Sequence, residues 1–105
     1  MRIVCLAVAL LAASPAAAAS IEGTTALACS DLEDQKKIDR AAAAGDTDGV
    51  AVILKRLLAS GRCGVLKEGT RIRVESNSFP YACVVRFGTG EDCVWVRQRH
   101  VDVRN

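Results

Sequence analysis

Gly61-Arg62-Cys63-Gly64-Val65-Leu66-Lys67-Glu68-Gly69-Thr70-Arg71-Ile72-Arg73-Val74-Glu75 is the stretch in which the repeat of apolar residues changes. Upstream of it, Val50, Ile53, Leu54, Leu57 and Leu58 stand at i, i+3, i+4, i+7 and i+8, the spacing of a buried helical stripe. Within it, Thr70, Ile72 and Val74 alternate with Arg71, Arg73 and Glu75, the period of a half-buried strand. Gly61 supplies the stop between the two regimes. The chain is therefore read as an α+β protein, helical before this junction and β after it.

Working upstream, Asp46 or Thr47 caps the second helix, and Gly45 ends a first helix that runs from about Asp31 to Ala44. Ser30-Asp31-Leu32-Glu33 has the form of a capping box, and Asp31, Glu33 and Asp34 crowd the turn where the helix dipole favours negative charge. Leu32, Ile38 and part of Ala41–Ala44 give this helix a thin apolar face. A linker this short predicts an antiparallel helical hairpin over residues 30–61. Residues 20–28 read as a short mobile leader.

Downstream, Asn77-Ser78-Phe79-Pro80 reads as a loop and Tyr81–Phe87 as a strand. Gly88-Thr89-Gly90-Glu91-Asp92 holds a turn. Cys93–Arg97, with Trp95 at its centre, reads as the next strand. Gln98–His100 turns tightly into a short strand over Val101–Val103.

The N-terminus has a different character. Met1-Arg2 precedes the apolar run Ile3–Ala13, Ser14 and Pro15 break it, and Ala16–Ala19 follows. This is the charged, apolar and small-residue order of a secretory signal peptide over residues 1–19. Ala17 and Ala19 form the expected cleavage pair, with cleavage one or two residues away as the alternative. The run is about half the ~20 residues that a membrane-spanning helix needs, so no span remains after cleavage. The mature domain, residues 20–105, is expected outside the cytoplasm, in the periplasm or the medium. Cys5 leaves with the signal, and Cys29, Cys63, Cys83 and Cys93 remain. An even count in a small exported domain predicts two disulfides. Cys29 precedes the first helix and Cys63 follows the second, so a Cys29–Cys63 bridge closes the open end of the hairpin. Cys83 and Cys93 flank the β turn, and with Gly88 at its centre they sit directly opposite each other, with Tyr81 opposite Trp95. These two local bridges are expected over the two crossed connectivities, and a turn centred on Gly90 would break this register.

Residues 66–103 resemble a bacterial SH3-like domain. Leu66-Lys67-Glu68-Gly69-Thr70-Arg71-Ile72-Arg73-Val74-Glu75 is similar to its early strand, Tyr81–Phe87 to its middle strand, and Gly88–Asp92 to its distal turn. Val94-Trp95-Val96-Arg97-Gln98-Arg99-His100-Val101-Asp102-Val103 resembles its ending of strand, 3₁₀ turn and short strand. The resemblance implies a small antiparallel sheet or barrel over residues 64–105 that acts as a binding domain of the cell envelope. Arg97 stands where the family has a proline and His100 where it has a tyrosine, and no first strand is visible before Leu66. Proline-rich ligands are therefore not implied.

The candidate binding residues are Tyr81, Trp95, Arg97, Arg99 and His100, because aromatic and arginine side chains dominate binding hot spots. Trp95 has a competing role as core over the hairpin and the disulfide. Arg71, Arg73, Arg86, Arg97 and Arg99 are candidates for a shared basic face toward carboxylates or anionic glycans. His100 is the only histidine, and no serine or cysteine beside it has a catalytic context, so neither catalysis nor a metal or cofactor site is expected. The formal charge is only +2 and loses one unit with Arg2, which gives no footprint for nucleic acid. The expectation is a monomeric, non-catalytic module that binds a protein or envelope ligand. The alternative is a secreted effector or small inhibitor acting outside the producing cell.

Overall fold

The computed structural model describes residues 18–104. Of the signal peptide read over residues 1–19, residues 1–17 lie outside them, and Ala18 and Ala19 stand in β1. The described chain runs β1 (Ala18–Ile21), β2 (Ala26–Cys29), α1 (Leu32–Ala43), α2 (Thr47–Ala59), β3 (Cys63–Leu66), β4 (Arg71–Ser78), β5 (Tyr81–Arg86), β6 (Val94–Arg97), a 3₁₀ turn (Gln98–His100) and β7 (Val101–Arg104). The α+β class and the helical hairpin hold. The strands form one antiparallel sheet in the order β3-β2-β6-β5-β4-β1-β7. That sheet is open, with β3 and β7 at its edges.

Three strands lie where none was expected. Residues 20–28 are not a mobile leader: they contribute half of β1 and all but the last residue of β2. Alanine has weak strand preference, which hides β2 from a sequence reading. Burial overrides that preference here. Ala26 and Ala28 are buried among Val84 and Val96 on one face, while Leu27 and Cys29 point to the helices on the other. Short side chains suit a place where two layers approach closely. β3 escaped notice because Gly64 interrupts any apolar alternation. β4 runs on through Asn77 and Ser78, which were expected in a loop. A shift of register between Val74 and Ser76 lets it continue opposite β5.

The caps differ by one residue. Asp31, not Ser30, caps α1, its Oδ1 accepting from the Glu33 N–H at 2.9 Å. The Ser30 N–H is already committed to the Arg62 carbonyl, extending the β2–β3 ladder by one rung. Asp46 caps α2 as expected, accepting from the Gly49 N–H at 2.9 Å. Gly45 and Gly61 end the two helices with positive φ, which L side chains adopt only at a cost.

Two apolar clusters share the sheet. One face holds Ile21, Ile72, Val84 and Val96, each 1% exposed or less. On the other face the hairpin packs Ile38 and Leu57, with Val50, Ile53 and Leu54, on the Cys29–Cys63 bridge and Leu27. The α2 stripe thus finds its apolar partner, except for Leu58, which remains 45% exposed at its edge. Both local disulfides form. Cys29 and Cys63 are direct partners in the β2–β3 ladder, with Cα atoms 4.0 Å apart.

The β5–β6 register corrects the expected one. Tyr81 faces Arg97 and Cys83 faces Trp95, so the turn centres on Thr89 rather than Gly88. Cys93 lies just before β6 and reaches Cys83 from two positions before Trp95, with Cα atoms 5.3 Å apart.

Chain-entropy arguments rank the two bridges. Closing the 34-residue separation of Cys29–Cys63 contributes ~4 kcal/mol, and closing the 10-residue separation of Cys83–Cys93 ~3 kcal/mol. The Cys29→Ser/Cys63→Ser protein is expected to melt about 15 °C or more below the parent, and the Cys83→Ser/Cys93→Ser protein to lose less. Calorimetry of the two double variants checks the order.

Candidate functional site

The α1 face that meets the sheet is not wholly apolar. Gln35, Ile38 and Asp39 share it, at helical spacing. Gln35 is 3% exposed. Its side-chain amide donates to the Leu27 carbonyl at 2.9 Å and the Trp95 carbonyl at 2.7 Å, tying α1 to β2 and β6 together. One turn on, the Asp39 carboxylate accepts from the Tyr81 hydroxyl through one oxygen and from an Arg97 guanidinium N–H through the other. Tyr81 and Arg97 are cross-strand partners, so the sheet register itself brings them to one carboxylate.

A cleft of about 220 Å³ opens beside this cluster, lined by Thr25, Leu27, Gln35, Ile38, Asp39, Arg97, Arg99 and His100. The 3₁₀ turn carries Arg99 and His100 to its rim. That turn is fixed from outside the cleft: the Gln98 N–H donates to the Pro80 carbonyl at 2.9 Å, and its side-chain amide donates to Asn77 Oδ1 at 3.0 Å and the Tyr81 carbonyl at 3.2 Å.

Of the five candidate binding residues, three line the cleft: Arg97, Arg99 and His100. Tyr81 is buried and acts from beneath, through Asp39. Trp95 is half-buried and offers the site its carbonyl, which Gln35 takes. The expected pairing of Trp95 with Tyr81 is replaced by Trp95 with Cys83 and Cys29. The five arginines do not form one free face. Arg86 is opposite Ile72, whereas Arg73 is opposite Val85, so the two fall on different faces. Arg71 lies over the Phe87 ring at 5.1 Å, Arg73 pairs with Glu75 at 2.8 Å, and Arg86 pairs with Glu91 at 2.7 Å. Gln35 and Asp39 were missed as site residues. Their signal was polar side chains on the apolar face of an amphipathic helix, next to Ile38.

Electrostatics follow from the packing. Burial, and then the hydrogen bond to Asp39, push the Tyr81 hydroxyl above its ordinary pKa, so it stays a protonated donor. Burial lowers the His100 pKa, and the Arg99 and Arg97 guanidiniums lower it further. Among the described residues no group of three metal-ligating side chains converges, and no helix is long and apolar enough to cross a membrane. Compared with protein-family models, curated proteins and solved structures, the chain finds no match.

Two measurements test this geometry. Tyr81→Phe removes a hydrogen bond to a partly solvated carboxylate and is expected to cost about 1 kcal/mol in denaturant unfolding. His100 binds its proton less readily folded than unfolded. Its stabilising contribution is therefore complete above the ordinary value of 6.5 and lost as pH falls through the lower folded value. Part of the fall in melting temperature on acidification should vanish in His100→Gln.

Proposed function

We propose that the protein is an exported, non-catalytic binding module of a bacterial cell envelope, working through the cleft between α1, β6 and the 3₁₀ turn. The observation that carries this reading is the Tyr81–Asp39–Arg97 cluster. It holds the aligned edge of the cleft rigid before any ligand arrives, which lowers the entropy cost of binding. What the cleft presents is fixed hydrogen-bonding groups and positive charge, the means of recognition. The ending of β6, 3₁₀ turn and β7 supports the SH3-like resemblance of the C-terminal half, and β1, paired with β4, supplies a strand before Leu66. Two disulfides suit an oxidising compartment.

The reading refines the processing site. Ala19 is 5% exposed within β1, opposite both Ile72 and Val103. Cleavage after Ala18, with Ala16 and Ala18 as the small pair, keeps that buried residue in the mature domain. Intact mass of the exported protein is expected to give Ala19 as its first residue; a Ser20 start would show that β1 survives without it.

The cleft is tested in the producing cell. A photo-crosslinking residue at Thr25 is expected to trap an envelope protein, whereas one at the exposed Val52 of α2, outside the cleft, is not. Adducts from Val52 alone, or none from either site, would refute the assignment.

A further inference from the structure

We infer that the cleft takes a peptide carboxylate, received by Arg99 with Arg97 and His100 beside it. This rests on the reading of the cleft as the binding site and adds the class of its ligand.

Among the described residues Asp39 is the only carboxylate lining the cleft, and each of its oxygens already accepts, one from Tyr81 and one from Arg97. Its charge is matched by the Arg97 guanidinium, so it adds little attraction for a cationic ligand. Arg99 makes no ion pair or hydrogen bond among the described residues, while Arg71, Arg73 and Arg86 each have a local partner. The sheet therefore leaves one guanidinium unneutralised at the rim, next to a second that Asp39 holds in place. A guanidinium presents a planar fork of donors that matches a carboxylate.

At about 220 Å³ the cleft is smaller than the ~300–1,000 Å³ usual for small-molecule sites. It admits one side chain or a chain end rather than a sugar oligomer. Leu27 and Ile38 share its lining with the cationic groups, and Thr25 adds a polar residue. A carboxylate on a short apolar stem, as in glutamate or a C-terminal residue, matches both kinds of lining. The Gln35 amide N–H groups are unavailable to a ligand, because both are donated to the Leu27 and Trp95 carbonyls.

Three peptides and two variants test this on the oxidised full domain, by amide chemical-shift titration. The probes are acetyl-Gly-Glu-Gly-Glu-Gly-amide, its Gln counterpart, and the Gln peptide with a free C-terminus. Binding of the first or third but not the second, with shifts at Thr25 and residues 97–100, is the expected result, and which one binds identifies the source of the carboxylate. Arg99→Gln, an exposed change without structural partners, is expected to weaken binding about threefold or more. Arg99→Lys keeps the charge but loses the planar fork, so it should bind more tightly than Arg99→Gln and less tightly than the parent. Equal binding of all three peptides, no binding of any, affinity indifferent to Arg99→Gln, or an Arg99→Lys protein that binds no better than Arg99→Gln would each overturn the inference. Thr25 adducts in the cell that persist alongside any of these results would leave the cleft as the site and remove only the carboxylate.

Discussion

The Cys29–Cys63 bridge lies inside a strand ladder and under a helical hairpin at once. A hairpin of two short helices has one thin apolar face and one broader stripe, too little to fold alone. By joining the entry to α1 with the exit from α2, the bridge reduces the hairpin's freedom in the unfolded chain. It then supplies apolar surface on which Ile38 and Leu57 settle. The Asp34 carboxylate, with a side chain only 1% exposed, meets Arg62 next to Cys63 at 3.0 Å and fixes the same junction electrostatically. Once α1 is fixed at its start, its polar residues Gln35 and Asp39 fall over β6. The cleft is therefore a downstream product of the bridge.

Binding surfaces built on loops usually acquire precision on contact. Here all the residues but Thr25 come from two strands, a helix and a short turn whose own amide groups are tied back to Pro80 and Asn77. The carboxylate of Asp39 has an unusual position in this scheme. It neutralises Arg97 enough to let that guanidinium sit partly out of water, and it aligns it against Tyr81, which stays a donor across the physiological range.

The helices and their stops were legible because periodicity and glycine punctuation are local signals: Val50–Leu57, Gly45 and Gly61 needed no tertiary context. The local disulfides were legible for a related reason, since each links the two ends of one hairpin. What escaped was set by partners distant in sequence. Ala26 and Ala28 are strand residues only because Val84 and Val96 cover them. Ser30 loses its cap to Arg62, and the β5–β6 register follows a turn at Thr89 that neither flanking glycine marks. For the site, arginine and aromatic content pointed to the correct corner. Asp39 was invisible, because a carboxylate on a helix reads as solvated until two paired strands bring Tyr81 and Arg97 to it.

The chain leaves β1 after Ile21 and comes back beside it at Thr70. The two points are joined directly, with the Ile21 N–H on the Thr70 carbonyl at 2.9 Å and the Gly69 N–H on the Ile21 carbonyl at 2.7 Å. Everything between, β2 to β3 with both helices, is an excursion whose ends are already closed. Loop-closure entropy grows only slowly with length, so a turn inside such an excursion, such as the one between α1 and α2, can lengthen at little cost to the strands that bracket it. The wall of the cleft that comes from α1 belongs to this excursion, and the wall carrying Arg97 to His100 lies outside it. Substitution on the helical side can thus retune the cleft while the cationic side stays in register.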